Sequence, residues 1–322
     1  MKDGLIVGNS RKIFITGANG FLGSYLAGIL RSRGHNVLMG ARASSGDNYV
    51  PYGNAEWESN WQKILSGVDC IVHCAARVHH KSQIASEDEW RQYKQINVEA
   101  TKRLAERAVF LGIKRFIYIS TIKVNGERTD GEASFVNTQQ PCPEDLYAKS
   151  KWMAENELWA ISKASGLEVV VIRPPLIYGP HAKGNLRSLI NLVSKGVPLP
   201  FGSISNKRSF ISVDNLSGLV NICVTSAVAP GNVYLASDGA DLSTPELISY
   251  IGVALNKDVR LINIPLGILN RMLALVGFKK SFYKLTESLV VNIEYTRNHL
   301  GWNPKIHPID AMKVYFGKSA SG

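Results

Sequence analysis

Cysteine is scarce in this chain of 322 residues: four thiols, at positions 70, 74, 142 and 223, with no Cys-x-x-Cys pair. That excludes a disulfide-stapled scaffold and the thiolate clusters of structural zinc sites, and it fits a reducing, cytoplasmic setting. Long apolar runs are missing too. The most apolar late stretch, residues 262–278, is broken by Asn263, Pro265, Asn270 and Arg271. It is too short to span a bilayer, so no integral membrane segment is expected, and it reads as a helix of a smaller lobe. The opening Met1-Lys2-Asp3-Gly4 lacks the apolar core of a signal peptide. Internal repeats and low-complexity tracts are absent. Acidic residues are in deficit, 26 against 37 Lys and Arg, for a net charge of +11. The basic residues are scattered, with short clusters only at Arg11-Lys12 and Lys279-Lys280. With no nucleic-acid reading module, that charge implies no nucleic-acid partner, and a phosphorylated small substrate accounts for part of it. His73, His79, His80 and His181 do not combine with carboxylates at ligand spacing, so no metal is expected.

What is present is a chain rich enough in core-forming residues, 45% hydrophobic, for a nucleotide-sized domain and a smaller one. Lys12–Thr16 is a β-rich run that stops at a glycine-rich turn. A helix follows over 21–33 and a second strand over 35–39. Residues 69–76 form a buried strand, 88–111 a helix closed by Gly112, 115–120 a strand, 146–165 a helix closed by Gly166, and Glu168–Arg173 a strand. The alternation predicts an α/β fold: a Rossmann-type doubly wound parallel sheet over 1–175, with a smaller C-terminal α/β lobe over 176–322. Segments near 205–235 are expected to return to the first domain. The tail, 318–322, is expected to fray.

Thr16-Gly17-Ala18-Asn19-Gly20-Phe21-Leu22-Gly23 has the Gly-x-x-Gly-x-x-Gly spacing. Glycine permits a tight turn and lets backbone approach a pyrophosphate at a helix N-terminus, where free N–H groups favour negative charge. Between a strand and a helix, Gly17, Asn19, Gly20, Phe21 and Leu22 are the candidate cofactor cradle. Where the second strand ends, an acid would bind the adenosine ribose. This chain reads Gly40-Ala41-Arg42, and an arginine suits a 2′-phosphate, so NADP(H) is favoured with NAD(H) possible. Tyr147 and Lys151 stand four residues apart, hence on one helix face. A neighbouring cation favours phenolate and is expected to lower the Tyr147 pKa toward the working range. Ser120-Thr121 ends a strand beside that helix and can offer a hydroxyl to the reacting oxygen. The set points to hydride transfer at a carbon bearing oxygen.

The glycine turn, Ser120-Thr121, Tyr147-x-x-x-Lys151 and Arg173-Pro174-Pro175-Leu176-Ile177-Tyr178-Gly179-Pro180 resemble the extended short-chain dehydrogenase/reductase superfamily, in its nucleotide-sugar epimerase/dehydratase branch, over residues 11–310. Asn97-Val98-x-x-Thr101 and Val72-His73-x-Ala75-Ala76 look like that branch's cofactor-side segments. Residues 199–204, 208–214, 237–239 and 241–246 resemble a subgroup of bacterial surface-polysaccharide enzymes, among them 4-ketoreductases forming UDP-N-acetylquinovosamine and UDP-glucose 4-epimerase-like relatives. The resemblance implies that Tyr147 exchanges a proton with the oxygen on sugar carbon 4. Lys151 holds the nicotinamide ribose, Thr121 hydrogen-bonds the sugar oxygen, and Ala75 and Ala76 line the cofactor. Ser120, Asn185, Leu199, Phe201 and Arg208 contact the UDP-sugar, with Leu199 and Phe201 flanking the uracil. It also implies a homodimer through helices near 91–108 and 146–162.

Two departures matter. The branch's dehydratases carry Thr-Asp-Glu at the strand end, where this chain reads Thr121-Ile122-Lys123; neither replacement can do the acid–base work of elimination. The Asn usual in epimerases after the Arg-Pro-type strand end is replaced by Pro174-Pro175-Leu176. The expected activity is reduction of a UDP-4-keto-6-deoxy-N-acetylhexosamine. The alternatives are a UDP-hexose or UDP-N-acetylhexosamine 4-epimerase, a non-catalytic NAD(P)-binding sensor, and a steroid-type ketone reductase, the last opposed by Arg208.

Overall fold

In the computed structural model, the described residues are 10–42, 48–53, 55–78, 86–180, 184–265, 267–269 and 285–317. His79, His80, His181, Lys279-Lys280, residues 1–4, 270–278 and 318–322 lie outside them. Among the described residues no helix is long and apolar enough to cross a membrane, and no group of three His, Cys, Asp or Glu could hold a metal ion.

Seven parallel strands make the large sheet: β1 (Lys12–Thr16), β2 (Asn36–Ala41), β3 (Tyr49–Pro51), β4 (Cys70–His73), β5 (Arg115–Ile119), β6 (Glu168–Arg173) and β9 (Asn232–Leu235). They lie in the order β3-β2-β1-β4-β5-β6-β9. The order reverses between β1 and β4, which opens a cleft at their C-terminal ends. β7 (Leu176–Tyr178) and β8 (Phe210–Ser212) form a separate parallel pair.

The strands read as unbroken apolar runs because both faces are covered. On one face Ile13, Ile15, Val72, Ile117 and Ile172 pack with α1 (Phe21–Ser32) and α7 (Val213–Thr225). On the other, Phe14, Ile71, Phe116 and Val171 pack with α2 (Ala55–Leu65), α4 (Ala100–Phe110) and α5 (Leu146–Ser165). The second lobe gathers around Tyr178 with α6 (Gly184–Ser194), α8 (Thr244–Leu255) and α10 (Pro308–Phe316). A short helix, α9 (Glu294–Leu300), lies against β9.

The expected helix over 88–111 is not continuous. It divides into α3 (Glu87–Tyr93), a π-helical turn (Lys94–Glu99) and α4. A π turn widens the helix by one residue and re-aims side chains. Here Asn97, 1% exposed, is buried in that turn.

α5 is bounded by strong signals. Asp145 accepts a hydrogen bond from the Ala148 N–H at 2.6 Å, and Gly166 closes the helix at φ 77°. Its buried stripe, Ala148, Lys151, Ala154, Glu155 and Leu158, follows helical spacing but includes two charges. A stripe of that kind serves a site as well as a core.

The glycine turn is sterically compulsory. A Cβ on Gly23 would lie 2.4 Å from the Gly17 carbonyl oxygen. Gly23→Ala is expected to cost about 1–3 kcal/mol through overpacking and to weaken dinucleotide binding. Urea unfolding and a fluorescence titration with NADH check both.

Candidate active site

Four strand ends converge at the cleft. After β1, Gly17 takes φ +67°, and a Cβ there would sit 2.9 Å from both the N and Cα of Ala75. The turn therefore lies directly against the segment that follows β4. Gly20 donates its N–H to the Gly17 carbonyl at 2.9 Å. Gly20 caps α1 without a side-chain hydrogen bond, and the first turn holds no acidic residue. Free N–H groups, a positive helix end and a surface kept bare of Cβ atoms fit a pyrophosphate, so the residues present suit a dinucleotide. Asn19 is exposed on the turn, while Phe21 and Leu22 are half-buried against the second lobe. Arg42 is exposed just beyond β2. Ala75 and Ala76 are half-buried.

Lys151 is 1% exposed, with its Nζ 4.0 Å from the ring centroid of Tyr118. Burial pushes the amine from 10.5 down to about 7, while Glu155 and Cys74 oppose the shift. Tyr147 is pushed the other way, upward, by burial first and then by the Asp145 carboxylate and Tyr93. The expected depression of the phenol by Lys151 is therefore not what the protein alone provides. Desolvation disfavours the charged form of each group, and a lysine with so low a pKa is half neutral near pH 7.

Thr121, two residues past β5, is extended and caps the 3₁₀ turn Ile122–Val124, its Oγ1 accepting from the Lys123 N–H at a loose 3.4 Å. The Ser120 hydroxyl is turned away from the cleft and donates to Glu155 Oε1. Ser120 thereby adds a donor to the buried Glu155 carboxylate. Glu155 also receives Arg173, Nε at 3.1 Å and Nη2 at 2.5 Å, and Arg173 Nη1 donates to Asn125 Oδ1 at 2.9 Å. Lys123 is held between Glu127 and Asp145, each at 2.6 Å. Ile122 is 2% exposed.

A second buried set ties the loop after β4 to α5. The Asn97 amide accepts from the Arg77 N–H at 2.7 Å. It donates to the Arg77 carbonyl at 3.1 Å and to Ser150 Oγ at 2.9 Å. Ser150 donates in turn to the Tyr147 carbonyl at 2.7 Å. His73, both ring nitrogens bonded to Thr16 and Thr101 hydroxyls at 2.6 and 2.9 Å, is driven down to about 3 by burial and Lys151 and stays neutral.

The structure thus brings Gly17, Ala75, Thr121, Tyr147 and Lys151 to one edge of the sheet. Asn185, Leu199, Phe201 and Arg208 belong to the second lobe. Asn185 is exposed in the first turn of α6. Leu199 and Phe201, 2% and 7% exposed, are core side chains there. A parallel β-bridge pairs the backbone of Leu199 with that of Leu261. Arg208, half-buried, donates to the Glu287 carbonyl at 2.9 Å. Glu155, Asn125 and Ser150 had no place among the expected site residues. A signal existed for Glu155: it continues the Tyr147, Lys151 face by four more residues.

Two predictions test this arrangement. Glu155→Ala leaves Arg173 buried at 5% side-chain exposure without its partner, and is expected to destabilise by about 3–5 kcal/mol in urea unfolding. Lys151 is protonated in both states below about 7. Between about 7 and 10.5 the unfolded chain binds a proton that the folded one lacks, so its contribution to stability rises with pH. Unfolding of the wild type and Lys151→Met across that range should show the difference growing in favour of the wild type. A flat difference would refute the shift.

Comparison with known proteins places the chain among relatives. Residues 13–235 match the model of the NAD dependent epimerase/dehydratase family. A UDP-glucose 4-epimerase of Vibrio cholerae is 38% identical, covering 91% of each chain. A 3-beta-hydroxysteroid dehydrogenase of Mycolicibacterium neoaurum is 26% identical, over 94% of this chain and 89% of that one. Among solved structures, a UDP-glucuronic acid 4-epimerase from Bacillus cereus in complex with NAD shares the fold with a TM-score of 0.76 at 18% identity, covering 97% of this chain and 100% of that one. With more than half its length matched and a relative this similar end to end, the chain belongs to the NAD dependent epimerase/dehydratase family.

Proposed function

We propose that the protein is an NAD(P)-dependent oxidoreductase acting at carbon 4 of a UDP-hexose. The observation that carries this reading is the placing of Tyr147 and Lys151 on one face of α5, with Thr121 at the neighbouring strand end and a glycine cradle fitted to a dinucleotide. The nicotinamide, when bound, supplies or accepts the hydride. Tyr147 gives a proton to, or takes one from, the oxygen on carbon 4. Thr121 hydrogen-bonds the same oxygen, and Lys151 holds the cofactor ribose.

The finer reading is reduction of a UDP-4-keto-6-deoxy-N-acetylhexosamine for a bacterial surface polysaccharide. Hydride goes to carbon 4, a proton from Tyr147 goes to the oxygen, and the ketone becomes an alcohol. The exposed Arg42, with no acid at the end of β2, supports NADP(H) and hence net reduction. The second reading is a UDP-hexose 4-epimerase using the same residues, favoured by the 38% identical relative of that name. NAD(H) as cofactor is supported by the NAD complex of the Bacillus cereus relative. Dehydration is disfavoured in either case: Ile122 cannot move a proton, and Lys123 is engaged by two carboxylates. In the second lobe Asn185 and the cationic Arg208 would hold the diphosphate, with backbone at Leu199 and Phe201 near the base. The lobe, residues 176–322, is the substrate-binding part, and segments near 205–235 belong with the first domain. We place the enzyme in the cytoplasm as a homodimer through the helices near 91–108 and 146–162.

The test mixes purified protein with a UDP-4-keto-6-deoxy-N-acetylhexosamine and NADPH or NADH, and follows absorbance of the reduced nicotinamide. Stoichiometric loss, reduced about 100-fold or more by Tyr147→Phe, is the expected result. Interconversion of UDP-hexose epimers with catalytic cofactor would replace the reductase by the epimerase.

A further inference from the structure

Among the described residues, Arg77 Nε is buried from solvent and has no hydrogen-bond partner. Buried donors in folded proteins are almost always paired, and an unpaired one asks for an explanation. Arg77 follows Ala75 and Ala76, the residues that close against Gly17. Its backbone is not free to drift: the Asn97 side chain grips both its N–H and its carbonyl, and the same amide reaches Ser150 under Tyr147. Its guanidinium lies over the ring of Tyr93, Cζ 5.6 Å from the centroid. Tyr93, 2% exposed, stands 6.5 Å from the Tyr147 ring, tilted by 55°. A cation whose backbone is held by Asn97, and whose Nε is an unused donor among the described residues, thus sits one aromatic ring away from the proposed proton donor.

We propose that Arg77 is a specificity-determining residue that receives a planar acceptor oxygen carried by the sugar, either the carbonyl of an acetamido group on carbon 2 or a carboxylate at carbon 6. This rests on the functional reading above. Both groups stand two carbons from carbon 4, the position assigned to Tyr147. A guanidinium has five donors and no acceptor, so an acceptor-only sp² oxygen satisfies it better than a hydroxyl, which must also place its own proton. The fork of Nε and Nη matches such oxygens in a way an ammonium does not. A hexose bearing neither group would leave Arg77 Nε as it stands, unpaired, and would bind less well.

The test is calorimetric titration with UDP, UDP-glucose, UDP-N-acetylglucosamine and UDP-glucuronic acid, using NAD-loaded protein carrying Tyr147→Phe so that no turnover intrudes. The parent is compared with Arg77→Met and Arg77→Lys. The parent is expected to bind the acetamido or the carboxylate sugar more tightly than UDP-glucose, and whichever it prefers identifies the source of the oxygen. Arg77→Met should weaken that sugar about tenfold while UDP and UDP-glucose stay within about twofold. Arg77→Lys, which keeps the charge beside Tyr93, should lose most of the same preference. Equal weakening of all four ligands would mean that Arg77 only supports the fold and would overturn the inference, as would no change in any. Failure of the parent to bind UDP at all would overturn the functional reading itself and this inference with it.

Discussion

Glu155 and Arg173 face each other inside the protein at 1% and 5% side-chain exposure, and four pieces of the chain meet on them. Glu155 comes from α5, Arg173 from the end of β6, Ser120 from the end of β5, and Asn125 from just beyond the turn that follows it. A buried ion pair is a weak source of net stability, since desolvation offsets the attraction. What it supplies is position. Tyr147, Lys151 and Glu155 are spaced at four and eight residues along one face of α5. A slip of one residue turns a helix by about 100° and would swing the phenol and amine away from Thr121. The carboxylate fixes that rotation because its donors come from two strands that the sheet already holds in register.

The same geometry separates what sequence could say from what it could not. The strand ends, the glycine turn and the Tyr147, Lys151 pair were legible because each is a local pattern: a period, a spacing, a residue type that the turn demands. The limits of α5 match the expected ones: Gly166 is a strong stop signal, and Asp145 caps the start. The π turn was not legible. Residues 88–111 keep helical periodicity, and the extra residue is stabilised by Asn97 gripping Arg77 and Ser150, 20 and 53 residues away in sequence. The lobe residues are hard to read from sequence for a related reason. Leu199 and Phe201 are as suited to a core as to a ligand wall, and their packing with Tyr178, Phe210 and Leu242 brings together segments distant in sequence. Ser120 and Thr121 are adjacent and chemically alike, yet strand alternation sends one hydroxyl to Glu155 and leaves the other at the strand end.

Electrostatics carries the argument one step beyond position. With Glu155 committed to Arg173 and Ser120, it opposes but does not cancel the desolvation of Lys151, whose pKa falls to about 7. Tyr147, close to Asp145 and Tyr93, is driven the opposite way. The protein by itself therefore holds a neutral, protonated phenol at neutral pH. That is the form needed to give a proton to the oxygen on carbon 4 while a ketone is reduced. Taking a proton from an alcohol needs the phenolate, which burial and the Asp145 carboxylate disfavour and further positive charge close by would favour. On the proposed reading, the phenol stands protonated before any ligand arrives.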